Sequence, residues 1–522
     1  MFTFLNKESL WVFVSAFVLC VAFSGSYPIY ILDEARNTAA AFEMLSRNDW
    51  IVPTFNNQLR TDKPPLHYFF MMLGYKVFGV NPLGARFFSG LFGAFLFLVT
   101  FQNVKRYLDL TTAWITVFVL GAAVFFVQEF HLAVPDPYLI FFMVFGLFCL
   151  FNQYKSPTLR WFLGAYLSLA FGTLAKGPIA ILLPGLIVLV FLLLRRSFNL
   201  KMIKRLNPFL GLLLVLLISG PWYVLVHNAT DGAWTQGFFF DHNISRFSTE
   251  KEGHGGLFLL TFAYVLLGLL PFSVFFIQGI VHGWRSRKTN DFILFSFVVV
   301  AITLVFFSVS STKLPNYPMP CYPFLAILIA FYLNRIRQGY PVKATYWSIG
   351  FLLLISLALP IGGYFALANE ASLYEHRYLA LWLLVAAITG ICTLVLYHGK
   401  KHKIAFVTLS VGWMVLGLGL FGFVYPKLTA SSPVSVAQNF IQDDIEVVVF
   451  KRFDSAFVIN FQRTYQVFTT YEALEQFLKQ HPNVMVLTNT RHPEDIKALE
   501  NLTLVLEQKA LFENHVTRIY KK

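Results

Sequence analysis

A polar segment, residues 28–68, lies between two long apolar runs, and its charged residues include Asp33, Glu34, Arg36, Asp62 and Lys63. Charges beside a bilayer need solvation by head groups, by one another or by a charged ligand, because burial of an isolated charge is unfavourable. A carboxylate in such a place can act as a general base toward a hydroxyl group. Neighbouring cations can stabilise an anionic leaving group. The segment therefore has the residue types for group transfer involving an anionic substrate.

The rest of the chain is strongly apolar and predicts an integral membrane protein. Of its 522 residues 57% are hydrophobic and 13% are charged, against roughly 25% charged in a soluble domain. Apolar runs of roughly 17–25 residues can cross the hydrocarbon layer as helices, and about thirteen recur. These candidate spans are residues 10–27, 84–103, 112–130, 138–153, 161–175, 178–194, 208–226, 257–280, 291–309, 321–334, 345–366, 378–397 and 404–424.

The loop charges predict the orientation. One alternate set of loops holds 19 Lys and Arg residues and three acidic ones, whereas the other side of the membrane part has 11 basic and 13 acidic residues. A basic excess of this kind is typical of the cytoplasmic side. The N-terminus lies in this set, and an odd number of spans places the C-terminus outside the cytoplasm. The formal net charge of +14 thus reflects membrane topology rather than nucleic-acid binding.

Five polar clusters fall on the extracytoplasmic side. They are residues 28–82, Pro135-Asp136-Pro137, Lys176-Gly177-Pro178, residues 227–256 and residues 311–317. Simple connectors would not require Asp and Lys to recur beside helix-breaking Pro and Gly in this way. We expect the five loops to form one shared site.

The first of these loops, 28–82, predicts two short helices. Residues 34–46 form an amphipathic segment that would lie at the membrane interface, with Asp33 as its N-cap. Pro64 and Pro65 suit the start of a second apolar helix that reaches about Phe78.

The last part of the chain, residues 427–522, predicts a small extracytoplasmic α/β domain after a membrane domain of residues 1–426. Short strands are predicted at EVVVF, AFVINF, TYQVF and NVMVLT, and helices at YEALEQFLKQ and HPEDIKALEN. No catalytic constellation is evident in this part.

The ordered motifs resemble those of the GT-C glycosyltransferases: Asp33-Glu34-Ala35-Arg36, Asp62-Lys63-Pro64-Pro65, Asp136 and Lys313-Leu314-Pro315-Asn316-Tyr317. They are similar in particular to the protein O-mannosyltransferases and the lipid A aminoarabinose transferases. The resemblance implies a multi-pass enzyme of a bacterial-type inner membrane with an all-α GT-C domain. Its donor would be a sugar on a polyprenyl (undecaprenyl) phosphate, and its acceptor lipid A, another glycolipid, a glycan or a protein.

Three acidic residues are candidates for catalysis. We expect Asp33 to be the base that activates the acceptor hydroxyl, with helix capping as the alternative. Glu34 either contacts substrate or supplies a favourable charge in the first helical turn. Asp136 lies between two prolines that disfavour a continuing helix, so we expect an exposed carboxylate at the membrane face. It either binds the acceptor or supports the basic residues, and capping of its loop is the alternative.

The cationic and phenolic candidates would contact the donor phosphate and lipid: Arg36, Lys63, Arg246, Lys313 and Tyr317. Lysines at helix ends also extend toward head groups without a specific ligand, and this alternative applies to Lys313 and Lys176. Asp62 stands where the aminoarabinose transferases usually have Glu. With His242 it could hold a divalent ion such as zinc beside the phosphate, and the alternative is a hydrogen-bonded surface pair.

Two other function classes remain open at this stage. A transporter or flippase for lipid-linked sugars would carry ionisable residues near mid-span and paired broken helices. A receptor or assembly protein would depend more on the surface of residues 427–522 than on Asp33.

Overall fold

The computed structural model of the protein describes residues 6–244, 256–338, 343–442 and 444–522. A long helical region is followed by a small region with a five-stranded sheet. Helix α1 (Lys7–Val21) precedes the polar segment, which contains α2 (Leu32–Arg47) and the start of α3 (Leu66–Phe78). The predicted helices at 34–46 and after Pro65 are thus confirmed as α2 and α3.

A tight hairpin, β1 (Thr54–Phe55) and β2 (Gln58–Leu59), joins α2 to α3. Asn56 and Asn57 form its two-residue turn with φ of 51° and 63°, a backbone conformation that Asn tolerates better than most residues. The Glu43 carboxylate of α2 accepts hydrogen bonds from both of their amides at 2.6 and 3.1 Å. The hairpin is therefore fixed to α2.

The remaining helices of the helical region are mostly long and apolar. The first of them are α4 (Pro82–Tyr107), α5 (Leu110–Ala122), α6 (Val124–Glu129), α7 (Asp136–Lys155), α8 (Leu159–Lys176), α9 (Ile179–Leu194), α10 (Leu200–Leu206), α11 (Pro208–Ala229) and α12 (Ala233–Gln236). The α-helices that follow are Leu260–Gly268, Phe276–Arg285, Asp291–Val309, Tyr322–Arg337, Lys343–Ala368, Leu384–His398, His402–Gly419, Tyr425–Thr429 and Pro433–Ala437. The chain also forms π-helices at Gly237–Ile244 and Leu420–Val424 and 3₁₀ helices at Phe272–Phe275, Met319–Cys321 and Ala371–Leu383.

Within the described residues, eight helices are long and apolar enough to cross a bilayer, or nine if one bent pair counts as a span. The multi-pass architecture is thus confirmed, whereas the number thirteen is not established by this criterion. Several of these helices expose large apolar side chains. In helix Lys343–Ala368 only 17% of the residues in its most apolar stretch are buried. An exposed apolar surface of this extent is the surface expected to face lipid.

The predicted span 257–280 is not one straight helix. The segments Leu260–Gly268 and Phe272–Arg285 are bent by 118° relative to each other. Pro271 lies at the break, and proline has no backbone N–H with which to continue a helix. The bend brings this segment back against its neighbours instead of extending it straight.

The C-terminal sheet consists of β3 (Glu446–Phe450), β4 (Val467–Phe468), β5 (Val484–Thr488), β6 (Thr503–Lys509) and β7 (Val516–Lys521). The strand order is β4-β3-β5-β7-β6. Strand β3 is parallel to β4 and β5, whereas β7 pairs antiparallel with both β5 and β6. Helices Ala456–Asn460, Tyr471–Gln480 and Pro493–Ala498 connect the strands. The predicted strand AFVINF is wrong, because its first residues form the helix Ala456–Asn460. An apolar run without alternation fits a buried helix as well as a strand, and here the Asp454 carboxylate accepts the Ala456 amide at 2.9 Å and turns the chain.

The C-terminal region packs directly on the polar segment. Ala35 and Met44 of α2 share one apolar core with Val434, Phe457 and Ile519. Asn56 of the hairpin exchanges hydrogen bonds with the backbone of Tyr465 at 2.7 and 3.0 Å. The C-terminal region therefore helps to hold α2 and the hairpin in position.

Candidate active site

A cavity of about 580 Å³ joins the five polar loops. Its charged and polar lining residues are Asp62 and Lys63 from the first loop, Asp136, Lys176, His242, Asn316 and Tyr317. Each of the five loops contributes at least one lining residue. The start of α7, the end of α8 and the segment just before helix Tyr322–Arg337 all line this one cavity. The predicted convergence is therefore confirmed.

The other end of this cavity is apolar. It is lined by Leu139, Ile179, Leu182, Phe239 and Phe307 among others. Leu182 is 63% exposed, so this end opens at the lipid-facing surface. A pocket with a charged end and an apolar end beside lipid suits an amphiphile with a phosphate head and a hydrocarbon tail.

Asp33 lies in the first turn of α2 but does not cap it, so the predicted N-cap role is wrong. The helix begins at Leu32, the cap residue is Ile31, and no side chain makes a cap hydrogen bond. The Asp33 side chain is 53% exposed, and its Oδ1 lies 3.9 Å from Arg60 Nη2. The carboxylate is thus held near a cation and remains accessible.

Arg60 is a site residue that sequence reasoning missed. Its guanidinium is 5% exposed and lies 3.1 Å from Asp62 Oδ2. Behind it, Arg60 donates hydrogen bonds to the hydroxyl of Tyr68 at 3.1 Å and to Asn37 Oδ1 at 3.2 Å. The position of Arg60 directly after β2, with two polar partners on α2 and α3, explains why it can bridge Asp33 and Asp62.

The charges around Asp33 determine its protonation. Desolvation by the surrounding protein raises the pKa of Asp33, but Lys63, Arg60 and Lys176 together outweigh this effect and hold the pKa below its ordinary value. The Asp33 carboxylate is therefore ionised across the physiological pH range.

Asp62 and His242 are in direct contact, with Oδ1 and Nε2 3.1 Å apart. Desolvation raises the pKa of Asp62, but the charges of Arg60 and His242 lower it by more. Both carboxylate oxygens are thus occupied, one by His242 and one by Arg60. Among the described residues no group of three or more His, Cys, Asp or Glu could hold a metal ion. The pair by itself thus supplies two side chains, the Asp62 carboxylate and the His242 ring.

Asp136 and Lys176 form a second charged pair in the cavity. Asp136 Oδ1 accepts from Lys176 Nζ at 2.5 Å, and this ammonium group also lies 4.8 Å from the ring centre of Tyr317. Asp136 is only 4% exposed, so the expectation of an exposed carboxylate at its loop is wrong. Pro135 precedes the helix and the Asp136 side chain turns inward toward Lys176.

Glu129 lies beside this pair and was also missed by sequence reasoning. It ends α6, is 5% exposed, and its Oε1 has no hydrogen-bond partner among the described residues. An acidic residue inside an otherwise apolar run is itself a sign of a functional position in a membrane protein. That sign was present in the predicted span 112–130.

Glu34 has a different position from Asp33. It is fully buried, and its two carboxylate oxygens accept hydrogen bonds from Arg86 at 2.7 and 2.8 Å. The backbone amide of Ala133 also donates to Glu34 Oε1 at 2.9 Å. Glu34 thus joins α2 to α4 and to the chain just before Asp136, and its carboxylate does not line the cavity.

The remaining predicted residues are divided between the cavity and its surroundings. Lys63 lines the cavity and is 8% exposed. Lys313 is 6% exposed, and its ammonium group donates to the Ser310 carbonyl at 2.7 Å. Arg36 Nε donates to the Ser455 hydroxyl at 3.3 Å. Arg246 lies outside the described residues.

Comparison with known proteins gives a consistent result. Residues 62–224 match the family described as dolichyl-phosphate-mannose-protein mannosyltransferase. An uncharacterized protein of Aquifex aeolicus is 32% identical over 67% of this chain and 78% of its own length. Undecaprenyl phosphate-alpha-4-amino-4-deoxy-L-arabinose arabinosyl transferase 2 of Pseudomonas fluorescens is 27% identical over 83% of this chain and 77% of its own length.

The fold has a solved counterpart. The crystal structure of ArnT from Cupriavidus metallidurans bound to undecaprenyl phosphate superposes with a TM-score of 0.82 at 20% identity, covering 99% of this chain and 98% of that one. At this identity the match shows a shared fold. The ordered motifs, the matched relatives and this fold together make the chain similar to the GT-C glycosyltransferases of the protein mannosyltransferase and aminoarabinose transferase type.

Proposed function

We propose that the protein transfers one sugar from a polyprenyl phosphate, of the undecaprenyl type, to an acceptor at the extracytoplasmic face of the membrane. The observation that carries this proposal is the cavity that combines Lys63 and Lys176 at one end with an apolar, lipid-facing end at Leu182. The relatives named as undecaprenyl phosphate arabinosyl transferases support the same donor class. The acceptor is lipid A, another glycolipid, a glycan or a protein.

We place the membrane domain at residues 1–426 and the α/β domain at residues 427–522. Helices coincide with all thirteen predicted stretches when the shorter and broken helices are included. This supports about thirteen spans in a bacterial inner membrane. The N-terminus is then cytoplasmic, and the C-terminal domain is extracytoplasmic, where it contacts α2.

In the proposed reaction, the Asp33 carboxylate removes the proton of the acceptor hydroxyl as its oxygen attacks the anomeric carbon. The bond between that carbon and the phosphate oxygen breaks, and the polyprenyl phosphate leaves with the electron pair. Direct attack inverts the anomeric configuration. In a transition state of oxocarbenium character, the hydroxyl becomes acidic as the new bond forms, so even a weakly basic carboxylate suffices.

The departing phosphate requires positive charge and hydrogen-bond donors rather than a strong acid. Lys63 lines the cavity and is our first candidate for this contact. Lys313, Tyr317, Arg36 and Arg246 complete the proposed phosphate-binding set. Asp136 holds the Lys176 ammonium group in place, and Glu34 is a positioning residue that fixes α2 and thereby Asp33.

The proposed role of Lys63 can be tested by donor binding. We expect Lys63→Gln to weaken binding of undecaprenyl phosphate by roughly 10- to 100-fold, because a hydrogen bond to a charged group is lost. Titration of the purified variant with the lipid phosphate measures this. Lys76→Gln is the matched control, since Lys76 lies 5.2 Å from the Trp50 ring centre in the same loop region and outside the cavity lining. Equal affinity of the Lys63 variant and the control would remove Lys63 from the site.

The charge of Arg60 has a pH signature. Arg60 lowers the pKa of Asp33, so Arg60→Gln should raise that pKa. The rate falls when the base is protonated, and we therefore expect the acid limb of the pH–rate profile to move to higher pH in this variant. The same substitution at Arg47, at the far end of α2 and paired with Glu43, should leave the limb in place. An unmoved limb in Arg60→Gln would show that Asp33 is not the group that titrates.

The Asp62–His242 pair gives a prediction about metals. Because Arg60 pairs with one oxygen of Asp62 and the His242 ring lies 3.1 Å from the other, we propose that transfer does not need a divalent ion. Dialysis against EDTA, followed by assay with and without added Zn²⁺ or Mg²⁺, should leave the rate unchanged within about twofold. A rate that collapses with EDTA and returns with one metal would contradict this and restore the predicted metal site.

The transporter alternative receives less support. Asp136 and Lys176 lie at the start of α7 and the end of α8, and Asp62 and Lys63 lie in the loop before α3, so these charged residues of the cavity are not near mid-span. The relatives whose names state an activity are arabinosyl transferases. The glycosyltransferase function is therefore favoured over transport.

A further inference from the structure

A second lined cavity, of about 290 Å³, lies far from the catalytic one. It is formed by α5, by the end of helix Tyr322–Arg337 and by the start of helix His402–Gly419. Pro320, which lines the catalytic cavity, lies two residues before the start of helix Tyr322–Arg337. The other end of this helix, Arg337, lines the second cavity. A helix of this length spans about 24 Å, so the second cavity lies at the opposite end of the helix bundle. In the proposed orientation that end is cytoplasmic.

The walls of the second cavity continue into a neighbouring apolar cavity of about 250 Å³. Trp114 and Phe118 of α5 line both cavities. Helix His402–Gly419 also lines both cavities, with Val407 in the second cavity and Met414 in the neighbouring apolar one. Val407 is 39% exposed. The two cavities therefore form a lipid-accessible seam, with apolar space on either side of the same two aromatic side chains.

The outer end of the seam is cationic. Arg337 and Lys403 line it, and among the described residues neither forms an ion pair with a carboxylate. Arg337 is positioned rather than free, because its Nε donates to Asn334 Oδ1 at 3.1 Å.

Asn334 in turn is anchored to the start of α5. It is 5% exposed and donates to the Thr112 hydroxyl at 2.9 Å and to Asp109 Oδ2 at 3.2 Å. The Asp109 carboxylate, the nearest acidic group in this network, also accepts the Thr112 amide at 2.9 Å as the helix cap. The acidic group is thus used for capping, and the positive charges of the seam remain available to a ligand.

We propose that this seam binds an anionic diacyl glycerophospholipid. The head-group phosphate lies between Arg337 and Lys403, and the two acyl chains occupy the apolar spaces on either side of Trp114 and Phe118. Basic pockets between transmembrane helices recognise anionic head groups in this way. Two uncompensated cations favour a lipid of net negative charge over a zwitterionic one. Two apolar spaces around one aromatic divider suit two chains better than the single chain of a polyprenyl phosphate.

The test measures lipid retention by the full-length protein in detergent, using native mass spectrometry with phosphatidylglycerol and phosphatidylcholine of identical chains. We expect the unaltered protein to retain phosphatidylglycerol at least about tenfold better than phosphatidylcholine, because Arg337 and Lys403 each attract the anionic head group. The double substitution Arg337→Gln with Lys403→Gln should remove the preference. Lys201→Gln with Lys204→Gln is the matched control on exposed lysines of α10, and it should keep the preference.

A second variant tests the apolar part of the seam with the charges intact. Val407→Trp should fill the opening and reduce retention of both lipids. Equal retention of both lipids by the unaltered protein, or equal retention of phosphatidylglycerol by the double variant and its control, would overturn the proposal. Displacement of phosphatidylglycerol by equimolar undecaprenyl phosphate would also overturn it and assign the seam to the carrier lipid. These binding measurements do not depend on transferase activity.

Discussion

An Asp33→Asn variant is expected to fold normally and to transfer sugar about 10² to 10⁴ times more slowly than the unaltered protein. Asparagine keeps the shape of the side chain but cannot accept the proton of the acceptor hydroxyl. The fold should tolerate it, because Asp33 makes no cap hydrogen bond in α2 and its side chain is 53% exposed. The two measurements are the transfer rate at saturating donor and the melting temperature in detergent.

Asp49→Asn provides the matched control for this result. Asp49 lies in the same loop, and its Oδ1 accepts the amides of Ile51 and Val52 at 2.8 and 3.1 Å. An asparagine oxygen can accept both bonds, so neither stability nor rate should change. An active, stable Asp33→Asn variant would eliminate Asp33 as the base and leave Asp62 and Asp136, the carboxylates that line the cavity, to be tested.

A Glu34→Gln variant is expected to lose stability, with activity lost as a consequence. Glu34 and Arg86 are each about 1% exposed and form a buried ion pair with two short contacts. Removal of one partner of such a pair leaves the other charge buried and costs about 3–5 kcal/mol. We expect a large drop in melting temperature, whereas the neighbouring Asp33→Asn variant should show none.

The control for this second result is Glu8→Gln. Glu8 pairs with Lys105 at 3.0 Å, but both side chains are more than 30% exposed, and pairs of this kind contribute about 0–1 kcal/mol. A Glu34→Gln variant that melts normally but no longer transfers sugar would contradict the positioning role. It would place Glu34 in contact with the substrate.

The sequence was sufficient to predict the membrane class, the convergence of the five polar loops and several of the charged residues that line the cavity between them. Long apolar runs leave little choice of structure within a bilayer. Polar loops such as those of Asp62, Asp136 and His242 must then lie at the membrane surface, so loops on one side meet. The charge order along the chain therefore carried much of the information about the cavity.

The distinct positions of Asp33 and Glu34 were not predictable in this way. The two residues are adjacent, and the partner that buries Glu34 is Arg86, 52 residues away in another helix. Arg60 presented the same problem, because Asn37 and Tyr68, which hold it beside Asp33, come from two separate helices. Such contacts depend on helix packing, to which hydrophobic periodicity is insensitive.

The central claim is tested most directly by following a labelled sugar on undecaprenyl phosphate in the presence of the purified protein and envelope fractions of lipid, glycan and protein. We predict that the label appears in one fraction with inverted anomeric configuration, and that one undecaprenyl phosphate is released for each sugar transferred. Movement of the intact lipid-linked sugar across proteoliposomes without cleavage of the bond to phosphate, or absence of label from all three fractions, would contradict the account.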